Sequence, residues 1–118
     1  FMKHPKLALY HAGDTGYSED FVETRERLGV PDFAFIPIGA YSPRWFMKNQ
    51  HVDPAEAVQI ALDLQVKRSF GMHWGTFILT DESVNEPRLM LAKALRERGL
   101  LPDFFIAPTP GAIINLDP

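Results

Sequence analysis

Two polar residues stand where apolar runs stop. Asp14 follows the run Lys6 to His11, inside the Gly-rich loop Ala12-Gly13-Asp14-Thr15-Gly16. His73 closes the run Ser69 to Trp74, between Gly71 and Gly75. In an open α/β sheet, ligands bind beyond the carboxyl ends of strands, so both side chains could point into one crevice. A carboxylate and an imidazole suit zinc or another divalent transition metal. Small neighbours (Gly13, Gly16, Gly71 and Gly75) would let the backbone approach a metal or substrate closely. Two ligands do not complete a catalytic zinc site, which usually takes three protein ligands and a water. Spacing alone therefore supports a partial metal site. Asp14 could equally be a turn residue bonding its own backbone, and His73 a hydrogen-bonded structural residue.

Further groups with usable chemistry lie in Gly39 to Gln50 and just beyond it. His51 precedes the helix start at Asp53 by two residues, and its imidazole titrates near neutrality, which suits proton transfer or substrate binding; it could also be a surface histidine. Tyr41, Trp45 and Phe46 could form an apolar lip for a greasy substrate, or pack against protein. Arg44 could meet a phosphate with both arms of its guanidinium, or face water. His4 is expected in a frayed terminus and His11 within a strand, packed or solvated. Lys67-Arg68 and Arg96-Glu97-Arg98 read as solvated faces.

The elements that must position these groups alternate. Lys6 to His11 reads as a strand. Ser18 reads as an N-cap with Glu19 and Asp20 in the first turn, and Gly29 as the stop of that helix. Phe33 to Ile38 reads as a buried strand that lies near an edge or ends at Pro37, since Pro37 cannot donate to a ladder. Asp53-Pro54-Ala55-Glu56 predicts a helix start with Asp53 as cap, Pro54 at the first position and Glu56 reaching back. Ala57, Ile60, Ala61 and Leu64 continue it at helical spacing. Ser69 to Trp74 is the third strand. Pro87 opens a third helix that ends at Gly99, and Asp103 to Ala107 and Ala112 to Leu116 are closing strands. The order β-α-β-α-β-α-β-β implies a mostly parallel sheet with right-handed crossovers. A parallel sheet needs both faces covered, and three short helices cover only one. The chain is therefore expected to be half of something larger, or to self-associate through the uncovered sheet face.

Composition bounds the rest. The 118 residues make one domain and are 46% hydrophobic and 23% charged, which is globular rather than disordered. No apolar run is long enough to span a bilayer, and no signal peptide is visible. With Cys 0, disulfides and thiolate metal sites are excluded. A net charge of -3 disfavours a nucleic-acid partner. A dinucleotide-binding fold is disfavoured too, because no G-x-G-x-x-G follows the first strand.

Taken together, Tyr10 to Tyr17 (YHAGDTGY), Ile36 to Tyr41 (IPIGAY), Pro43 to Lys48 (PRWFMK), His51 to Ala57 (HVDPAEA) and His73 to Phe77 (HWGTF) resemble the C-terminal half of a metallo-β-lactamase-fold hydrolase. The branch they resemble holds the N-acyl-phosphatidylethanolamine-hydrolysing phospholipase D and its bacterial RomA-type relatives. The resemblance implies an α/β fold, an αββα sandwich of two similar halves of which residues 1–118 would be the second, and a dinuclear zinc site at the edge of both sheets. It implies that Asp14 bridges the two zinc ions, that His73 ligates one of them, that His51 lies beside the active site, and that Tyr41, Arg44, Trp45 and Phe46 border the substrate entrance. The family's H-x-H-x-D-H cluster is absent from the chain, as is the further histidine before the G-D-T strand, so the chain alone is expected to be inactive.

In the intact enzyme the resemblance implies phosphodiester hydrolysis of phospholipids by a metal-activated water. Cytoplasmic placement, or attachment at the periphery of a membrane, is the expectation that goes with such a substrate. The competing readings are a non-catalytic α/β interaction module, and a lactonase or other hydrolase of the same superfamily.

Overall fold

The computed structural model describes residues 2–5, 7–13, 16–39, 52–72 and 86–108. Within them the chain forms β1 (Met2–His4), β2 (Leu7–His11), α1 (Asp20–Leu28), β3 (Phe33–Pro37), α2 (Pro54–Leu64), β4 (Arg68–Met72), α3 (Glu86–Glu97), a 3-10 turn (Pro102–Phe104) and β5 (Phe105–Ile106).

The five strands make one sheet in the order β1-β2-β3-β4-β5. β2 to β5 are parallel, with Tyr10 opposite Ala34, Ile36 opposite Gly71 and Ser69 opposite Phe105. β1 is antiparallel to β2, with Met2 opposite Leu9. Each parallel pair needs a crossover, and right-handed crossovers between successive neighbours put every helix on the same face. One core cluster shows this arrangement. It joins Ala34, Ile36 and Phe105 of the sheet to Phe21 of α1, Ile60 and Leu64 of α2, and Leu91 and Leu95 of α3. The central helix α2 packs against both of the others. Its buried Ile60 and Leu64 side chains contribute roughly 1.5–3 kcal/mol each by removal from water.

Alternation along the strands sends the intervening side chains to the second face. There Phe70 sits between Phe33 and Phe35, with ring centroids 6.2 and 5.6 Å away. Arg68 lies 5.7 Å from the Phe70 centroid, and His11 stacks on Phe35 at 6.4 Å. Phe33 and Phe70 are only 3% and 1% exposed. At the centre of this face, then, these two aromatic rings are packed out of water. Its rim residues Leu7, Leu9, Phe35, Met72 and Ile106 are half-buried.

Local signals account for most element ends. Asp53 accepts from Glu56 N–H at 2.8 Å, while the Glu56 carboxylate accepts from Asp53 N–H at 3.2 Å, the reciprocal cap expected from the sequence. Gly29 and Gly99 close α1 and α3 with φ of 93° and 68°, a region glycine enters without strain.

Other ends moved. α1 begins one residue later than expected: Glu19 holds the cap position, and Ser18 Oγ accepts from Asp20 N–H at 3.3 Å. α2 ends without a glycine, on Gln65 at φ 57°, with Val66 N–H reaching back to Ala61 O at 3.3 Å. Met2–His4, expected to fray, instead pairs with β2, because β2 presents a free ladder edge to it. Asp103 begins no strand; a 3-10 turn takes Pro102–Phe104 and leaves β5 two residues long. The expected strand Ala112 to Leu116 lies outside the described residues.

Candidate functional site

Three adjacent strands end together. Their pairing continues past the strand ends, as Ala12 N–H donates to Phe35 O and Ile38 N–H to Met72 O, both at 3.0 Å. The chain leaves β2 through Ala12 and Gly13 toward Asp14, leaves β3 through Ile38 and Gly39 toward residues 40–51, and leaves β4 at Met72, the residue before His73. Asp14, His51 and His73 themselves lie outside the described residues, as do Tyr41, Arg44, Trp45 and Phe46. Among the described residues, no three histidine, cysteine, aspartate or glutamate side chains gather as a metal-binding group. The described part of the site is therefore its frame.

That frame is specific on the β2 side. Gly13 has φ 69°, in the left-handed region, so the chain turns there at little cost only with glycine. Its N–H donates to His11 Nδ1 at 3.2 Å, which requires that nitrogen to be unprotonated. His11, expected to be merely packed or solvated, thus braces the backbone at Gly13, the residue before Asp14.

Beyond the turn, Tyr17 Oη donates to Asp63 Oδ2 at 2.6 Å. Gln59 Nε2 donates to the other carboxylate oxygen at 2.8 Å, and the Arg25 guanidinium donates to the Asp63 carbonyl at 2.9 Å. The hydrogen bond to Asp63 is the main cause that pushes the Tyr17 phenol up to about 12; burial and the Asp63 charge add to it, and Arg98 opposes it. Tyr10, packed edge-on to Phe21 at 6.4 Å, is also held above the ordinary tyrosine range, by burial first and then by Asp20. Sequence reasoning missed Tyr17, Gln59, Asp63 and Arg25. Nothing local marks a bond between residues 46 positions apart.

The described residues also line hollows, of which two bear on the helices. One, of about 480 Å³, is floored by Leu91, Leu95, Leu100 and Phe105 between α3 and β5. The other, of about 240 Å³, is bounded by Tyr17, Glu56, Gln59 and Arg98.

Residues 1–74 match the family described as Beta-lactamase superfamily domain. A Saccharomyces cerevisiae protein named N-acyl-phosphatidylethanolamine-hydrolyzing phospholipase D, mitochondrial, is 41% identical over 110 residues, covering 92% of this chain and 23% of that protein. A Caenorhabditis elegans protein named N-acyl-phosphatidylethanolamine-hydrolyzing phospholipase D 1 is 45% identical over 97 residues, covering 80% of this chain and 27% of that protein. A Nitratidesulfovibrio vulgaris protein named as a metal-dependent hydrolase is 32% identical over 111 residues, covering 94% of this chain and 41% of its own length. The chain thus spans about a quarter of the first two relatives. The matched stretch holds β1 to β4, the part of the sheet that frames the turn before Asp14 and the strand before His73. With that stretch exceeding half of its length, and a one-sided α/β sheet of the kind its motifs imply, the chain belongs to the beta-lactamase superfamily, with a metallo-β-lactamase-type α/β fold.

Proposed function

We propose that this chain forms part of a metal-dependent hydrolase that cleaves phosphodiesters, with N-acyl-phosphatidylethanolamine-like phospholipids as the substrate class. The observation that carries this reading is the likeness, over most of the chain, to two proteins named for that hydrolysis. The frame is compatible with it. β2 and β4 flank β3 and run parallel to it, so the strands leading to Asp14 and His73 are roughly 10 Å apart at neighbouring strand spacing. Side chains from either side of β3 can meet across that distance.

The donor set fits zinc: a carboxylate able to bridge two ions at Asp14, and an imidazole at His73. The remaining ligands would come from protein outside this chain, which makes the N-terminal half of the same protein the first partner in this reading. When bound, zinc would lower the pKa of a water and polarise the phosphoryl oxygens. Asp14 and His73 would hold and orient the site, and His51 would carry a proton at the leaving oxygen. Arg44 would grip a phosphate oxygen pair through its fork, while Tyr41, Trp45 and Phe46 exclude water around the acyl chains. The rim of the second sheet face would meet the rest of the protein or a second copy. No helix among the described residues is long and apolar enough to cross a membrane.

The test is turnover of N-acyl-phosphatidylethanolamine by the zinc-loaded full-length protein. Asp14→Ala and His73→Ala should each lower kcat by about a hundredfold or more. Lactone turnover with an inert phospholipid would move the substrate class elsewhere. A rate in the chain alone equal to that of the full-length protein would refute the need for outside ligands.

A further inference from the structure

The segment that holds Asp14 is anchored on both sides. On its approach stand the Ala12 N–H to Phe35 O bond at 3.0 Å and the Gly13 N–H to His11 Nδ1 bond at 3.2 Å. On its exit stands the Tyr17 Oη to Asp63 Oδ2 bond at 2.6 Å, with the Tyr17 ring stacked on Phe21 at 6.3 Å between centroids. Only Asp14, Thr15 and Gly16 separate Gly13 from Tyr17. The acceptor is itself immobilised. Gln59 engages the second carboxylate oxygen of Asp63 at 2.8 Å, and Arg25 holds its carbonyl at 2.9 Å. Asp63 lies in the last turn of α2, and the capped first turn of the same helix begins just after His51. One stiff helix therefore links the segment of His51 to Tyr17, three residues past Asp14.

We infer that Tyr17 and Asp63 form a positioning clamp that fixes the chain just beyond the turn at Gly13 to α2 and so presets where the Asp14 carboxylate is offered to the metal. The inference rests on the metal-hydrolase reading above. Neither residue is assigned contact with metal or substrate; both act through the backbone of the turn. A phenol donating to a carboxylate is among the stronger hydrogen bonds, because the acceptor is charged. Tyr17 is 42% exposed, so the bond adds little apolar burial to the fold and acts chiefly by restricting the turn. A ligand held in place before the ion arrives avoids the ordering cost that a free loop would meet on binding.

The experiment uses the full-length protein and its Tyr17→Phe, Asp63→Ala, Asp63→Asn and Asp14→Ala variants. Zinc affinity is measured by calorimetry, and amide exchange over residues 12–17 is measured with the metal removed. Tyr17→Phe and Asp63→Ala should each weaken zinc binding roughly tenfold, the low end for partners outside the ligand shell. They should also speed exchange in the turn while leaving exchange in α2 unchanged. Asp63→Asn keeps an oxygen acceptor and should retain most of the affinity. Should Tyr17→Phe fail to fold, the contrast between Asp63→Ala and Asp63→Asn decides the same question. Unchanged affinity and exchange in both clamp variants, alongside lost binding in Asp14→Ala, would overturn the clamp and leave the metal reading standing. Undiminished zinc binding in Asp14→Ala would overturn the metal reading and the clamp together.

Discussion

Gly71 faces Ile38 where the β3–β4 ladder ends: a methyl group on Gly71 would stand 2.6 Å from Ile38 Cδ1 and 3.0 Å from its Cγ1. Ile38 is fully buried and β-branched, so it has little freedom to step aside. Gly71→Ala should therefore lower stability by about 1–3 kcal/mol, the usual cost of overpacking. Ile38→Val removes the nearest atom and should cost about 0.5–1.5 kcal/mol alone. The double variant should lose clearly less than the sum, as expected for residues in contact. Urea unfolding of the four proteins measures this, and strict additivity would refute the contact.

Asp53→Ala should destabilise the chain by about 1 kcal/mol, because the N–H of Glu56 loses its acceptor at the start of the helix that packs against both others. Asp53→Asn should lose much less, since an amide oxygen still caps. Thermal melts of the two variants make the comparison.

Asp32 joins β2 to the start of β3 on both strands. Its Oδ2 accepts from Ala8 N–H at 2.7 Å, and its own N–H donates to Ala8 O at 2.8 Å. Asp32→Ala should cost about 1–3 kcal/mol by leaving the Ala8 N–H without its carboxylate partner. Exchange of the Ala8 amide should rise with it. An unchanged melting point in Asp32→Ala would refute this role.

Tyr17 supplies a pH prediction whose sign follows from its raised value. Its phenol moves from an ordinary 10.0 to about 12 in the folded chain. The stability it contributes is thus fully present below pH 10 and is lost as pH rises toward 12, where the folded phenol ionises. The stability gap between the chain and Tyr17→Phe should stay constant up to pH 10 and close above it. Tyrosinate absorbance should show a group ionising near pH 12 that Tyr17→Phe removes.

What could be read from the sequence was what depends on near neighbours. The cap formed by Asp53, Pro54 and Glu56 needs four consecutive residues and forms as expected. Gly29 and Gly99 marked helix ends because only the local backbone decides them. The run from Phe33 to Ile38 announced a buried strand by composition alone. The bonds between Asp32 and Ala8, or Tyr17 and Asp63, have no local signature, since they join residues 24 and 46 positions apart. Gln65 shows the same limit in another form, because it takes a left-handed conformation with no glycine there to announce it. Of the site, the motifs around Asp14 and His73 pointed to the family, while the braces at His11 and Tyr17 emerged only once the strands were paired.

The described strands follow one another across the sheet without a reversal. Where strand order reverses in an open α/β sheet, successive crossovers part to opposite faces and split open a cleft between them. A sheet wound in a single direction never makes that split, since each parallel connection returns over the same helical layer. Its carboxyl edge is a shelf rather than a slot, and a molecule resting on it needs a wall raised by a second layer on the far side of the strands.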